Sequence, residues 1–225
     1  MNHGFFITGT DTEVGKTYVS CALLRAFSRN GKHVLAMKPV ASGCQNSGYG
    51  LRNDDALQLI SNSDRKLPYE TVNPYAFKPA IAPHIAAKQA NITIDLPHLE
   101  QCYQAIASQA DVTIVEGAGG WLVPLNEQHS IADLAAMLAL PVILVVGIRL
   151  GCINHALLSA AAIRERGLKL AGWVANCVDP NCACIEKNIH SISQRIDTPC
   201  LGEIPFDPQA DAEKRSYYLK IRSLL

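Results

Sequence analysis

Gly9-Thr10-Asp11-Thr12-Glu13-Val14-Gly15-Lys16-Thr17 follows the apolar run Gly4 to Thr8 (GFFIT) and leads into Tyr18 to Phe27, whose apolar residues recur at helical spacing. The stretch therefore sits at a strand-to-helix turn, where a phosphate-binding loop belongs. Its glycines let successive N–H groups converge on an anion, and the helix start adds its dipole. Lys16 supplies a point charge and Thr17 a hydroxyl for Mg²⁺. Five residues separate Gly9 from Gly15, one more than in the usual G-x-x-x-x-G-K-[ST] pattern. A glycine-rich turn with an incidental lysine is the plain alternative, and the order strand, loop, helix weighs against it.

The remainder of the composition frames this loop. A chain of 225 residues that is 48% hydrophobic and 18% charged can bury a full core as a single domain spanning 1–225. Twenty basic and twenty acidic residues cancel, which argues against nucleic acid or an anionic membrane as partner and for a small ligand. MNHGFFITG has neither the basic region nor the length of a secretion signal, and no apolar run approaches the roughly 20 residues of a membrane span. A cytoplasmic location is expected. The eight cysteines are scattered, and Cys182-Ala183-Cys184 lacks the spacing of a zinc or thioredoxin-like site, so free thiols are expected.

Further along, His33 to Met37 (HVLAM) reads as a second strand with Lys38 at its carboxyl end, the side on which open parallel sheets bind ligands. Residues 41–53 read as a loop, and Asn53-Asp54-Asp55 as the start of a helix capped by an acid. The prolines between Ser61 and Ile94 mark an excursion with a short helix at 83–89. A helical pattern from Pro97 to Gln109 leads into a strand at 111–115. Glu116-Gly117-Ala118-Gly119-Gly120 beyond it reads as a second glycine-rich nucleotide loop whose acid can serve Mg²⁺. Ser130 to Leu138 reads as a helix and Pro141 to Gly147 as a central strand buried on both faces. A helix begins at Gly151-Cys152-Ile153-Asn154-His155, and its free N–H groups suit a carboxylate or simply open an ordinary helix with His155 packed or exposed. Leu170 to Cys177 is a strand ending at Asn176, whose amide suits a base edge or simply closes a turn. A helix near 185–195 and a strand near 199–204 follow. The final EKRSYYLKIRSLL reads as an amphipathic helix that docks on the protein, with a membrane-surface anchor as the other reading. The alternation predicts an α/β fold, a predominantly parallel sheet with helices on both faces, of the P-loop NTPase kind.

The ordered motifs GTDTEVGKT (9–17), KPVASG (38–43), GLRNDDAL (50–57), VNPYAF (72–77), VEGAGGW (115–121), LPVILVVG (140–147), LGCINHA (150–156), GWVAN (172–176) and GEIPF (202–206) resemble those of the dethiobiotin synthetases over nearly the whole chain. The long first loop is what that family shows. The resemblance implies an ATP-dependent cyclo-ligase that joins 7,8-diaminopelargonate and CO₂ through a carbamate and a carbamic–phosphoric anhydride, giving dethiobiotin, ADP and phosphate. It implies Mg²⁺ at Thr17, Asp55 and Glu116, with Asp55 taking precedence over Asp54, and catalytic Lys16 and Lys38. Thr12, Lys16, Lys38 and Ser42 are the implied carbamate and diamine contacts. Glu13, Val14, Gly15, Lys16, Thr17 and Tyr18 would cradle ATP, with Gly117, Ala118 and Gly119 as a second wall. Asn176, Cys177, Pro205, Phe206 and Asp207 fall on the implied adenine side. Cys152, Ile153 and Asn154 map to a helix start that holds the substrate carboxylate across a homodimer. Cys177 replaces the commoner acid, and the match fades after Pro208.

Competing readings are a glutamine-dependent amidoligase, which needs a further domain, and a partitioning or positioning switch ATPase. The latter carries an additional lysine early in its loop, and Thr10 to Val14 has none. No G-x-G-x-x-G follows the first strand, which disfavours a dinucleotide-dependent dehydrogenase.

Overall fold

The computed structural model describes residues 3–225; Met1 and Asn2, at the head of the N-terminal stretch read above, lie outside the described residues. Strand β1 (His3–Gly9) runs into the phosphate loop and helix α1 (Lys16–Arg29), and β2 (Val34–Met37) follows. The long excursion then contains β3 (Val40–Ala41), β4 (Gln45–Asn46), β5 (Leu51–Arg52), α2 (Asp54–Asn62), α3 (Tyr69–Val72), β6 (Tyr75–Ala76), α4 (Pro83–Gln89) and α5 (Leu96–Ala107). The remaining elements alternate: β7 (Val112–Gly120), α6 (Ile131–Met137), β8 (Val142–Ile148), α7 (Cys152–Glu165), β9 (Leu170–Cys177), α8 (Ile185–Ser193), β10 (Cys200–Ile204) and α9 (Ala212–Ser216).

Six strands form one sheet in the order β10-β9-β8-β1-β7-β2, and every pairing in it is parallel. Strand β1 lies between β7 and β8, with Phe6 opposite Val115 on one side and Val142 on the other. Its period-2 alternation divides the core. Phe6 faces the layer containing Leu99 of α5, Leu134 of α6, Ala156 of α7 and Ile189 of α8. Phe5 and Ile7 face the layer of Leu24 and Phe27 from α1, Leu59 from α2 and Leu219. The continuously apolar β8 is buried along its whole length, as a strand covered on both faces must be.

The structure alters four readings of the sequence. The glycines after Glu116 do not form a loop: Gly117–Gly120 extends β7, because Gly9 of β1 pairs with Gly120 after a register shift. Asn53, not an aspartate, caps α2, its side chain accepting from the Ala56 N–H at 3.2 Å. The terminal amphipathic helix is broken. Only Ala212–Ser216 is α-helical, Leu219 bridges to Gly202 on the sheet edge, and a 3₁₀ turn covers Arg222–Leu224. Residues 41–53, read as a loop, hold a small antiparallel hairpin of β4 and β5.

Candidate active site

The loop between β1 and α1 curls through two left-handed residues, Glu13 at φ 60° and Gly15 at φ 83°. At Gly15 only glycine fits, since a Cβ there would stand 2.1 Å from Asn176 Nδ2. That amide, at the end of β9, donates to the Val14 carbonyl at 2.9 Å. Asn176, read as either a base-edge contact or a turn-closing residue, thus braces the phosphate loop through its Nδ2.

A cavity of about 610 Å³ opens beyond the carboxyl ends of β1, β2 and β7, lined among others by Thr12, Lys16, Thr17, Lys38, Ser42 and Asp55. Residues far apart in sequence converge here. Lys38 Nζ donates to Glu116 Oε1 at 2.6 Å and to the Gly117 carbonyl at 3.2 Å, and lies 3.3 Å from Asp55 Oδ2. The Thr17 hydroxyl donates to the same Glu116 oxygen at 2.8 Å. Lys16 Nζ donates to the Asp11 carbonyl at 2.9 Å. Glu116 is fully buried, and its Oε2 has no partner, as does the Ser42 hydroxyl. A buried carboxylate oxygen left unmatched is costly unless something polar meets it. Thr17, Asp55 and Glu116 together present the hard oxygen donors a divalent cation such as Mg²⁺ takes, with coordination completed by phosphates and water.

The two lysines differ electrostatically. Burial pulls the Lys16 ammonium down to about 8, helped by the like charge of Lys38 and opposed by Glu116, Asp55 and Asp11. Burial also acts to lower Lys38, but the charges of Glu116 and Asp55 and their hydrogen bonds outweigh it and hold Lys38 above the usual lysine value.

One hydrogen-bond chain positions this centre and leaves no spacing signal in the sequence. Asn73 Nδ2 donates to the Lys38 carbonyl at 2.7 Å, the Tyr69 hydroxyl donates to Asn73 Oδ1 at 2.8 Å, and the Asn53 N–H donates to that hydroxyl at 2.8 Å. Asn53 in turn starts α2, which presents Asp55 to Lys38. Asn73 stands in the VNPYAF motif, the one hint that the sequence offered.

Glu13, Ala118 and Gly119 also line the cavity. Tyr18 points away from it, its ring under the Arg215 guanidinium at 4.4 Å. Asp207 is engaged within its own turn: Oδ1 accepts from the Gln209 and Ala210 N–H groups, and Oδ2 meets Lys214 Nζ at 2.8 Å. Those partners, Lys214 first, hold its carboxyl below the usual range. Cys177, Pro205 and Phe206 stand at the ends of β9 and β10, outside the cavity lining. Cys152, Ile153 and Asn154 form the first turn of α7, also outside the lining. The eight cysteines carry free thiols, and among the described residues no helix is long and apolar enough to cross a membrane.

Residues 3–214 match the family model described as an AAA domain. The chain is 52% identical over 221 residues to the "ATP-dependent dethiobiotin synthetase BioD" of Pseudomonas aeruginosa strain UCBPP-PA14, covering 98% of this chain and 97% of the relative. It is 52% identical to the protein of that name from Cellvibrio japonicus, at the same coverage. The Nitrosospira multiformis counterpart is 50% identical over 98% of this chain and 96% of its own. Among solved structures, the MinC:MinD cell division complex of Aquifex aeolicus aligns with TM-score 0.60 at 16% identity, covering 97% of this chain and 87% of that one. A ParA family ATPase from Chlorobium tepidum aligns with TM-score 0.57 at 17% identity, covering 100% and 93%. At that identity these two share the fold, a P-loop sheet, and nothing finer follows from them. The relatives at half identity match end to end, and so the chain belongs to the family of ATP-dependent dethiobiotin synthetases.

Proposed function

We propose that this chain, acting as a cytoplasmic homodimer of single-domain subunits, uses MgATP to carboxylate and close 7,8-diaminopelargonate to dethiobiotin, releasing ADP and phosphate. The observation that carries the reading is the buried Lys38–Glu116 contact at the mouth of the phosphate loop, with Asp55 and Thr17 on it. A neutral substrate amine captures CO₂ and loses a proton, giving a carbamate. Its oxygen attacks the γ-phosphorus and ADP departs. The second amine then attacks the carbamoyl carbon and gives up a proton as the ureido ring closes and phosphate leaves.

The chief obstacle is bringing a carbamate against a triphosphate, two anions in a partly dry site. Glu116 and Asp55 favour the charged form of Lys38 and hold it above the usual lysine value, so it offers a positive charge where the anions meet. Among the described residues Lys16 has no carboxylate hydrogen bond and rests on a backbone carbonyl that a phosphate oxygen can replace. The loop N–H groups hold the phosphates, and the unpartnered Ser42 hydroxyl and Thr12 orient the carbamate. Thr17, Asp55 and Glu116 would hold Mg²⁺, which supplies charge neutralisation on the phosphates. The start of α7 at Cys152, Ile153 and Asn154 lies outside its own cavity, in keeping with service to the neighbouring subunit's substrate carboxylate.

The test is ADP release measured with and without diamine and CO₂, together with incorporation of labelled CO₂ into the product. Rapid ATP turnover without diamine, or turnover stimulated only by lipid or a protein partner, would sink the ligase reading. The switch-ATPase reading is not favoured: it rests on fold likeness at 16–17% identity, against full-length relatives at half identity.

A further inference from the structure

The phosphate loop contains an electrostatic contradiction. A loop that receives a polyanion carries two carboxylates of its own, Asp11 and Glu13, in the five residues between its glycines. Near a bound triphosphate an uncompensated carboxylate is repulsive. Glu13 lines the cavity, while Asp11 touches the anion-binding machinery through its backbone carbonyl, the acceptor for Lys16 Nζ at 2.9 Å.

Its side chain is fully engaged. Asp11 Oδ1 accepts from the Thr12 N–H at 2.7 Å, which folds the carboxylate back on the loop. Oδ2 meets Arg149 Nη2 at 2.5 Å. Arg149 comes from a different element, the junction just beyond β8, where its own backbone carbonyl accepts from the Cys152 N–H at 3.0 Å and so starts α7. The loop backbone is fastened to the same strand, the Thr10 N–H donating to the Val145 carbonyl at 3.0 Å. The guanidinium is thus presented from just beyond a strand end, and Asp11 is its one hydrogen-bond and ion-pair partner among the described residues. Both side chains are nearly half exposed, at 40% and 47%, so the pair adds little to folding stability. A contact that contributes little to stability and sits on an anion loop is better explained by its effect on the anion.

We propose that Arg149 is a positioning residue for the nucleotide: by neutralising and tethering the Asp11 carboxylate it makes the phosphate loop electrostatically receptive. This rests on the reading of the loop as an ATP site. Arg149 acts through Asp11 and not on the phosphates themselves, which separates two otherwise similar expectations.

The experiment measures ATP binding by calorimetry in Mg²⁺ buffer, with melting temperature as a folding control. Arg149→Ala and Arg149→Met should each weaken ATP on the order of tenfold at low salt, with Arg149→Lys within about threefold of the parent, as an exposed charge effect predicts. Adding Asp11→Asn to Arg149→Ala should restore affinity to within about threefold, because the offending charge is gone. The deficit of the single variant should also shrink at about 0.5 M salt, where the Debye length falls to roughly 4 Å. Arg149→Ala and Arg149→Met binding ATP like the parent would overturn the proposal. So would a double variant as weak as the single one, which would mean that Arg149 touches phosphate directly. A parent protein that binds no ATP would instead overturn the reading of the loop itself.

Discussion

Lys38, just beyond the end of β2, and Glu116, within the neighbouring parallel strand β7, stand 2.6 Å apart, both almost sealed from water and joined as an ion pair. On the proposed mechanism the pair is at once a stability element and a charge reserve for catalysis, and these two roles separate under mutation.

Replacing Lys38 with Ala should lower kcat by roughly 100-fold or more while ATP affinity changes less than about fivefold, the pattern for charge stabilisation felt mainly in the transition state. It also leaves Glu116 as a buried carboxylate with one hydrogen-bond donor. The unliganded protein should lose about 3 kcal/mol of unfolding free energy, much of it recovered in the double variant Lys38→Ala/Glu116→Gln. Denaturant unfolding checks the stability, steady-state kinetics the turnover. Wild-type turnover in the single variant would remove Lys38 from the mechanism.

Lys16 gives a pH signature. Its ammonium titrates near 8 in the unliganded protein, and bound phosphates favour the charged form and raise that value. ATP binding at pH 8 should therefore take up about half a proton, and almost none from this group at pH 6.5, as calorimetry in buffers of different ionisation enthalpy would report. The sign for stability is opposite to that of a salt-bridged lysine. The unfolded chain binds more protons between pH 8 and the ordinary lysine value, so the cost of burying charged Lys16 is full below pH 8 and fades above it. Lys16→Met should stabilise the unliganded fold by roughly 1–3 kcal/mol at pH 7, with the advantage shrinking toward pH 10.

Gly15→Ala combines two faults, a left-handed φ of 83° and a Cβ 2.1 Å from Asn176 Nδ2. ATP affinity should fall at least about tenfold, with a backbone penalty of about 1–2 kcal/mol. Shortening Asn176 to Ala in the same protein removes the clash and leaves the φ, so recovery should be partial. Full recovery would show that the contact with Asn176 alone governs the loop.

Gly202→Ala addresses the C-terminal segment. A Cβ there would meet the Tyr218 carbonyl oxygen at 2.2 Å, and that is backbone, which cannot swing aside. Expected are a loss of roughly 2 kcal/mol and faster amide exchange across residues 212–225. An unchanged exchange pattern would contradict the close approach.

The sequence made the sheet legible where one local pattern sufficed. The apolar run read as a strand at Pro141–Gly147 is observed as β8 at Val142–Ile148, and the loop at Gly9–Thr17 announced both its neighbours. Lys38 and Glu116 were visible because the carboxyl ends of parallel strands share one side. What failed were features set by distant partners. Periodicity in EKRSYYLKIRSLL favours a helix, yet the Lys220 N–H donates to the Leu201 carbonyl at 2.6 Å and Leu219 bridges to Gly202, and these edge contacts override it. Asn53, Asp54 and Asp55 are all good caps, and the choice of Asn53 is what leaves Asp55 turned toward Lys38. The relay Asn53–Tyr69–Asn73 joins three segments by single hydrogen bonds, a relationship with no periodicity to read.

The excursion between β2 and β7 adds no strand to the main sheet. It nevertheless delivers Ser42 and Asp55 to the cavity and walls it with Ala80 to Pro83. The molecule thus keeps its engine and its tooling in separate parts of the chain: the sheet carries the phosphate chemistry, while the detour shapes the space facing it. Drift in the detour can retool what is held opposite the phosphates and leave the engine untouched, save at Asp55 and at the Asn53–Tyr69–Asn73 relay that holds the Lys38 backbone.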